Sequence, residues 1–176
     1  MQTLPDLDSG KSAFIDDLIA RSGGRPGALL GILQAVQERN PRKYLCAEDL
    51  RYIAEGTGVP LSQIFSVVTF YALFNRDPQG DHTICICRGT ACHARGSRSL
   101  LESLLLDLGL AEVARQSDAD KLTMTTADGM FTIRTVACFG QCAMAPVAEL
   151  DHRICGHMNE HALHREVEAL GQERHE

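Results

Sequence analysis

Two short segments of the chain each carry a pair of cysteines with a glycine between them. The first reads Cys87-Arg-Gly-Thr-Ala-Cys92 and the second reads Cys138-Phe-Gly-Gln-Cys142. Each segment follows a run rich in β-branched residues, at 83–86 and 131–136, which predicts a strand. Since a loop that follows a strand presents its side chains at one edge of the sheet, the four thiols can converge on one site.

Four convergent thiols can hold an iron–sulfur cluster, a zinc ion or a disulfide, and the spacing favours the cluster. Cys-x4-Cys and Cys-x3-Cys are wider than the Cys-x2-Cys knuckle, in which one tight turn supplies two ligands to zinc. Soft thiolates suit iron, and a [2Fe-2S] rhomb takes two thiolates on each iron. Gly89 and Gly140 allow the backbone to approach the sulfides without an intervening Cβ. Spacing alone leaves zinc, a disulfide and unbound thiols open.

Composition limits the class of protein. The 176 residues carry a net charge of −6 and seven cysteines. The acidic balance argues against a nucleic-acid binder. An odd cysteine count in a chain of this length is unlike a secreted disulfide framework, which favours a reducing, cytoplasmic location. The N-terminus lacks the pattern of a signal peptide, and the longest apolar runs are about ten residues, so no membrane insertion is expected.

The first part of the chain shows helical periodicity. Residues 1–11 are polar and predict a flexible N-terminus. Apolar residues recur at helical spacing over residues 12–22, from 26 to 40, from 47 to 56 or 58, and from 60 through 68. These patterns predict a small helical bundle over residues 12–74. Residues 75–81 are rich in turn formers and predict a linker at a domain boundary.

The second part of the chain, residues 82–176, mixes strand and helix patterns. The predicted elements are a strand at 82–87, a helix at 97–108, strands at 121–126 and 130–136, a short strand at 147–150 and a helix at 159–170. The sequence Ala127-Asp-Gly129 between two β-rich runs is a strong hairpin signal. Strands and helices therefore combine in one sheet-containing domain.

Two segments upstream of the cysteines complete a resemblance to a known family. One is a leucine-rich helix ending in Gln-Glu at residues 28–38, and the other is the run Thr69-Phe70-Tyr71. From about Gly27 to about Val167 the sequence resembles the thioredoxin-fold [2Fe-2S] subunit of respiratory complex I. The same subunit occurs in NAD-linked hydrogenases, formate dehydrogenases and flavin-based bifurcating complexes. The resemblance places the cluster ligands at Cys87, Cys92, Cys138 and Cys142.

The resemblance implies a fold and a function. The fold is α+β, with the N-terminal bundle docking a partner and a thioredoxin-like α/β ferredoxin domain following it. The chain would hold one [2Fe-2S] cluster and serve as the electron-transfer subunit of a multi-subunit NAD(P)H-linked oxidoreductase. FMN and NAD(H) would lie on an iron–sulfur flavoprotein partner, beside further iron–sulfur subunits. No nucleophile with its base, dinucleotide fingerprint or phosphate loop is present, so no catalytic residue and no turnover alone are expected.

Two other functions are weighed against this one. A stand-alone thioredoxin-like [2Fe-2S] ferredoxin or redox sensor is the first alternative, although a free carrier needs no docking bundle. A zinc-stapled interaction module is the second, and a visible absorption spectrum separates it because zinc is colourless.

The remaining cysteines and the histidines have simpler interpretations. Cys85 is predicted to be a buried strand thiol, and Cys46 and Cys155 are predicted to be unliganded. His93 is predicted to be an exposed neighbour of the cluster, because all four ligand positions hold cysteine. The C-terminal histidines His152, His157, His161, His164 and His175 resemble a metal tract, and His157, His161 and His164 are predicted to share a helical face. No carboxylate or cysteine completes a site with them, so a metal site is disfavoured.

Three arginines lie close in sequence to the first cysteine pair. Arg88, Arg95 and Arg98 are expected to stabilise added negative charge and so to raise the potential of a cluster. Arg88 serves equally well as a docking charge.

The second loop departs from the family pattern. Gln141 and Ala143 replace the small residues that usually flank the second cysteine, and Cys155-Gly156 replaces a Tyr-Gly pair. These changes leave the ligands in place. They indicate a divergent or bifurcating system rather than standard complex I.

Overall fold

The computed structural model describes residues 9–23, 25, 27–115 and 123–172. The chain divides into two units, Met1–Pro78 and Gln79–Glu176, and each has its own apolar core. Predictions that concern residues 1–8, Pro26, residues 116–122 and His175 lie outside the described residues. None of the described helices is long and apolar enough to cross a membrane.

The first unit contains four short helices. They are α1 (Ser9–Ser22), α2 (Ala28–Arg39), α3 (Ala47–Thr57) and α4 (Leu61–Phe70). Their apolar faces meet in a buried core formed by Ile15, Ile32, Leu33, Val36, Leu45, Leu50, Ile53, Ile64, Val68 and Phe74. Burial of one apolar stripe per helix is what stabilises helices this short.

The first helix corrects the prediction for the N-terminus. Helix α1 begins at Ser9, three residues before the helix start predicted at residue 12. The reason is Lys11, whose ammonium group lies 2.6 Å from the Asp49 carboxylate. Asp49 is fully buried at the start of α3, and this long-range ion pair has no signature in the local sequence.

The segment after α4 is fixed by a buried amide. Gln37 Nε2 donates a hydrogen bond of 2.9 Å to Leu73 O, and the Asn75 amide donates one of 2.7 Å to Gln37 Oε1. The side chains of Phe70, Tyr71 and Leu73 are nevertheless exposed, with Phe70 at 80%. The segment thus presents apolar side chains on an ordered backbone.

The second unit is built on a mixed five-stranded sheet. The strands are β1 (His82–Cys87), β2 (Thr123–Thr125), β3 (Phe131–Val136), β4 (Ala148–Leu150) and β5 (Arg153–Cys155), in the order β2-β3-β1-β4-β5. Strands β1 and β3 are parallel, and the other neighbours are antiparallel.

Helices of this unit include α5 (Thr90–Ala94), α6 (Ser97–Asp107), α7 (Ala111–Arg115) and α8 (Glu160–Gln172). Leucines of α6 and apolar residues of α8 pack on one face of the sheet, against Ile84, Ile86 and Ile133. The α+β class predicted from the sequence is confirmed. Three short elements, α5, α7 and β5, were not predicted, because three to five residues are too few to show a period.

Candidate metal centre

The two cysteine segments begin at adjacent positions in the sheet. Strands β1 and β3 run parallel, with Cys87 paired to Val136 at their last residues. The backbone continues this pairing, since the Arg88 amide donates a hydrogen bond of 2.8 Å to Val136 O. Cys138 follows two residues after the end of β3. The ends of neighbouring parallel strands therefore bring the two loops together.

The four thiols form one connected group. Cys138 Sγ and Cys142 Sγ lie 3.7 Å apart. The thiols of Cys92 and Cys138 lie near enough to the Cys87 thiol to lower its pKa. All seven cysteines lie among the described residues and are free, so no disulfide competes for these thiols. The structure thus brings the four predicted ligands together.

Backbone N–H groups point at the sulfur atoms. The Gly140 amide lies 3.2 Å from Cys138 Sγ. The backbone N–H groups of Gly89 and Phe139 act on the Cys87 thiol, and that of Val147 acts on the Cys92 thiol, each lowering the pKa. Such donors stabilise the thiolate form, which is the form that binds metal.

The pKa values of the thiols depend on one another. Burial raises the pKa of the Cys87 thiol, but the N–H groups of Gly89 and Phe139, together with the thiols of Cys92 and Cys138, outweigh this effect and the pKa is lowered. Burial, and then the hydrogen bond with Cys87, raise the pKa of Cys92. The hydrogen bond with Cys138 raises the pKa of Cys142. The Cys87 thiol therefore loses its proton more readily than an ordinary thiol, whereas the thiols of Cys92 and Cys142 lose theirs less readily. A bound cation would stabilise the thiolate form of all of them.

The glycines provide the space in which the loops approach each other. A Cβ at Gly89 would lie 2.9 Å from Ala137 O and 3.4 Å from Cys138 Sγ. Gly140 has a φ of 81°, in the left-handed region that favours glycine. Gly89 therefore permits the contact between the first and second loops.

Exposure divides the thiols into two pairs. Cys87 and Cys92 are buried, whereas Cys138 and Cys142 are exposed. The buried pair packs with Ala145 and Val147 in a small apolar cluster. One side of the site is thus closed to water and the other is open.

This donor set fits a [2Fe-2S] cluster. Four thiols, two from each loop, match the requirement of two thiolates on each iron, and backbone donors surround them. Across residues 9–115 and 123–172, with positions 24 and 26 left aside, no three His, Cys, Asp or Glu side chains group around one metal position. A rhomb needs only two protein ligands on each iron. The assignment of the four cysteines as ligands stays a prediction.

A third segment supports the second loop and was missed by the sequence analysis. The His157 amide donates a hydrogen bond of 2.7 Å to Met144 O, and the Met158 amide donates one of 3.0 Å to Pro146 O. Arg95 Nη1 lies 3.2 Å from Ala145 O. The acceptors of these bonds are backbone carbonyl oxygens, which every residue carries, so residue type does not predict them. Gly156 was the one residue of this segment whose type indicated a close contact.

The other cysteines lie apart from this group. Cys85 pairs in the sheet with Arg134 and Glu149, and burial raises its pKa to about 11, which keeps the thiol protonated. Cys46 occupies the N-cap of α3, and Cys155 ends β5.

The residues around the first cysteine pair differ in their surroundings. His93 is exposed. Arg88 and Arg98 line a cavity of about 590 Å³ beside α6 and α7. Arg95 instead reaches the second loop through Ala145 O.

The predicted helical face of three histidines is wrong. His157 has a φ of 53° and precedes α8, which begins at Glu160, so His157 does not continue the helix of His161 and His164. His164 instead lies between Asp107 and Glu168, at 3.3 and 3.2 Å. His152 lies 3.3 Å from Glu149.

Comparison with known proteins gives a family match over most of the chain. The model of the thioredoxin-like [2Fe-2S] ferredoxin family matches residues 15–171. The HndA subunit of the NADP-reducing hydrogenase of Solidesulfovibrio fructosivorans is 33% identical over 119 residues, which cover 65% of this chain and 61% of that subunit. A subunit of the NADH-quinone oxidoreductase of Rickettsia prowazekii is 28% identical over 145 residues, covering 82% of this chain and 76% of that one. The chain thus spans about three fifths of the hydrogenase subunit.

Solved structures share the fold. An NAD+-reducing [NiFe]-hydrogenase in the air-oxidized state superposes with a TM-score of 0.64 at 18% identity, over 86% of this chain and 24% of that one. The same kind of enzyme in the H2-reduced state gives 0.62 at 22% identity. The predicted fold, a helical N-terminal region followed by a thioredoxin-like domain, is confirmed.

Proposed function

Because the chain belongs to the thioredoxin-like [2Fe-2S] ferredoxin family, we propose that it is the electron-transfer subunit of a multi-subunit NAD(P)H-linked oxidoreductase. The observation that carries this proposal is the meeting of four thiols at the ends of β1 and β3. A single [2Fe-2S] cluster bound there supplies the transfer of one electron at a time. The location proposed for the complex is the cytoplasm.

The two cysteine pairs would bind the buried and the exposed side of the cluster. Cys87 and Cys92 would hold the buried side, and Cys138 and Cys142 the exposed side. Backbone N–H groups of both loops would donate hydrogen bonds to sulfur, which favours the more negative state of the site. Buried Ala145 and Val147 exclude water from the inner pair.

The proposed partner is an iron–sulfur flavoprotein that binds FMN and NAD(H), with further iron–sulfur subunits beyond it. Two relatives are named as subunits of a hydrogenase and of a quinone oxidoreductase, and their reactions need a hydride acceptor that four thiols do not provide. The exposed apolar side chains of Phe70, Tyr71 and Leu73, on an ordered segment, support assembly with another subunit. A hydrogenase, formate dehydrogenase or bifurcating complex is proposed ahead of standard complex I, on the changes at Gln141 and Ala143.

The first prediction concerns cluster content. We expect the anaerobically purified chain to be red-brown and to contain about two iron and two acid-labile sulfide per chain. Cys92→Ala and Cys142→Ala should each lose most of the iron, since each removes a thiolate. Iron and sulfide assays with a visible spectrum measure this.

The matched controls are Cys46→Ala and Cys155→Ala, which remove thiols outside the group and should keep the cluster. A pale wild-type protein without iron or sulfide contradicts the proposed function. Retention of the full cluster by both ligand variants contradicts the ligand assignment. Co-purification with a flavoprotein, read by gel filtration, separates the complex subunit from a stand-alone ferredoxin.

A further inference from the structure

The segment Gly156 to Met158, which follows β5, runs along the second cysteine loop. The amides of His157 and Met158 donate hydrogen bonds to Met144 O and Pro146 O, at 2.7 and 3.0 Å. The two backbones are therefore in direct contact just beyond Cys142. No side chain of the segment is needed for these bonds.

The contact leaves no room for a side chain at position 156. A Cβ there would lie 2.6 Å from Met144 Cβ, 2.6 Å from Met144 Cε and 3.0 Å from Met144 O. The Met144 Cε can move by a change of rotamer, but its Cβ is fixed to the backbone. The φ of Gly156 lies outside the left-handed region, so the need for glycine comes from space alone.

We infer that Gly156 is a positioning residue for the exposed pair of cluster ligands. It acts through Met144, which ends the 3₁₀ turn Cys142–Met144. The amides of Met144 and Ala145 bond to Gln141 O and Cys142 O, at 3.0 and 3.3 Å. Displacement of Met144 is therefore passed directly to Cys142.

Cys142 is the thiol most sensitive to such a displacement. It is exposed, whereas Cys87 and Cys92 are fixed by burial and by the end of β1. A small movement of the turn changes the distance between Cys142 Sγ and Cys138 Sγ, now 3.7 Å, with little effect on the sheet. The inference rests on the proposed cluster function and names the residue that sets the geometry of its open side.

The test uses the full chain with its cluster, reconstituted anaerobically with iron and sulfide. Gly156→Ala should lose iron to a chelator about tenfold faster than wild type, which is the usual effect of disturbing groups that orient metal ligands. The visible circular dichroism of the cluster should also change, because it reports the geometry of the ligands. The matched control is Gly171→Ala in α8, where an added Cβ meets side-chain atoms only at 3.6 and 3.8 Å.

A second variant separates positioning from general loss of stability. Gly156→Ala combined with Met144→Gly removes the contacts with Met144 Cβ and Cε, so it should recover the wild-type spectrum and retention of iron. Recovery supports the inference even where the single variant folds poorly. The inference is overturned where Gly156→Ala matches Gly171→Ala, or where the double variant is as defective as the single one. Failure of the wild-type chain to take up iron contradicts the proposed function instead.

Discussion

Arg88 shows how a single residue can influence the site electrostatically. It follows the buried Cys87 directly, and its backbone amide joins β1 to β3 through Val136 O. Its side chain lines the cavity beside α6. A cation in this position would favour the more negative, reduced state of the proposed cluster.

We predict that Arg88→Ala lowers the reduction potential of the cluster. At an effective dielectric constant near 20, loss of one unit charge roughly 15 Å away gives a shift on the order of 50 mV. A redox titration followed by visible absorption or electron paramagnetic resonance measures it. The control is Arg115→Ala, because Arg115 lines the same cavity but is paired with Glu112 and is remote in sequence from the cysteines. An unchanged potential in Arg88→Ala would exclude the electrostatic role of Arg88 and leave its role as a docking charge.

At this scale the sequence was informative about the thiols and less so about what surrounds them. The spacing predicted which cysteines meet, because strand ends fix where loops begin. It did not reveal that the Val147 N–H acts on the Cys92 thiol, or that the His157 amide donates a hydrogen bond to Met144 O. Those donors are backbone groups, which every residue except proline carries, and only the folded path of the chain selects among them.

The pairing of α1 with α3 is the clearest energetic feature at the scale of elements. Lys11 Nζ lies 2.6 and 2.8 Å from the two oxygens of Asp49, whose side chain has no exposed area. The Asp49 carboxylate also accepts a hydrogen bond from the backbone amide of Cys46 at the start of α3. A buried carboxylate that loses such partners is left uncompensated.

We predict that Lys11→Met, which leaves the buried Asp49 carboxylate without its cation, lowers the free energy of unfolding of the first unit by about 3 kcal/mol, the usual cost of breaking a buried pair. Urea unfolding followed by circular dichroism measures the change. Asp17→Ala is the control, because Asp17 forms an exposed pair with Arg21 in α1 and should cost less than about 1 kcal/mol. Equal effects in the two variants would show that the Lys11 pair contributes little.

The stabilisation contributed by the Lys11–Asp49 pair depends on pH, because the Lys11 ammonium group loses its charge at alkaline pH. Burial lowers the pKa of this ammonium group, but the hydrogen bond and charge of Asp49 outweigh burial and raise it above 10.5. The stabilisation is therefore complete below pH 10.5 and is lost as pH rises through the higher value. The stability difference between wild type and Lys11→Met, measured by the same urea unfolding, should shrink over that alkaline range.

Element boundaries were predictable where the pattern was long. The four helices of the first unit and strand β1 follow from their apolar periods and from Pro60 and Gly58 at helix ends. The start of α1 was missed because the Lys11 pair joins residues 38 positions apart. Strand β5 was missed because three residues paired to β4 carry no alternation of their own.

At the scale of the whole molecule, the prediction concerns turnover. We expect the isolated, flavin-free chain to show no NADH oxidation with a dye acceptor. NADH delivers two electrons as a hydride, whereas the [2Fe-2S] cluster proposed for this site would carry single electrons. Addition of the flavoprotein partner should restore activity. Measurable turnover by the chain alone, with flavin shown to be absent by fluorescence, would contradict the assignment as a subunit without catalysis.

The unequal exposure of the two cysteine pairs also bears on how the site is filled and lost. Cys87 and Cys92 are buried together with Ala145 and Val147, whereas Cys138 and Cys142 are exposed. If the four cysteines bind the proposed cluster, iron delivered to the folded chain would reach Cys138 and Cys142 first, because these are the exposed thiols. Oxidants and chelators from the solvent would reach the same two exposed thiols first. Assembly and loss of the proposed cluster would therefore both begin at the 138–142 loop.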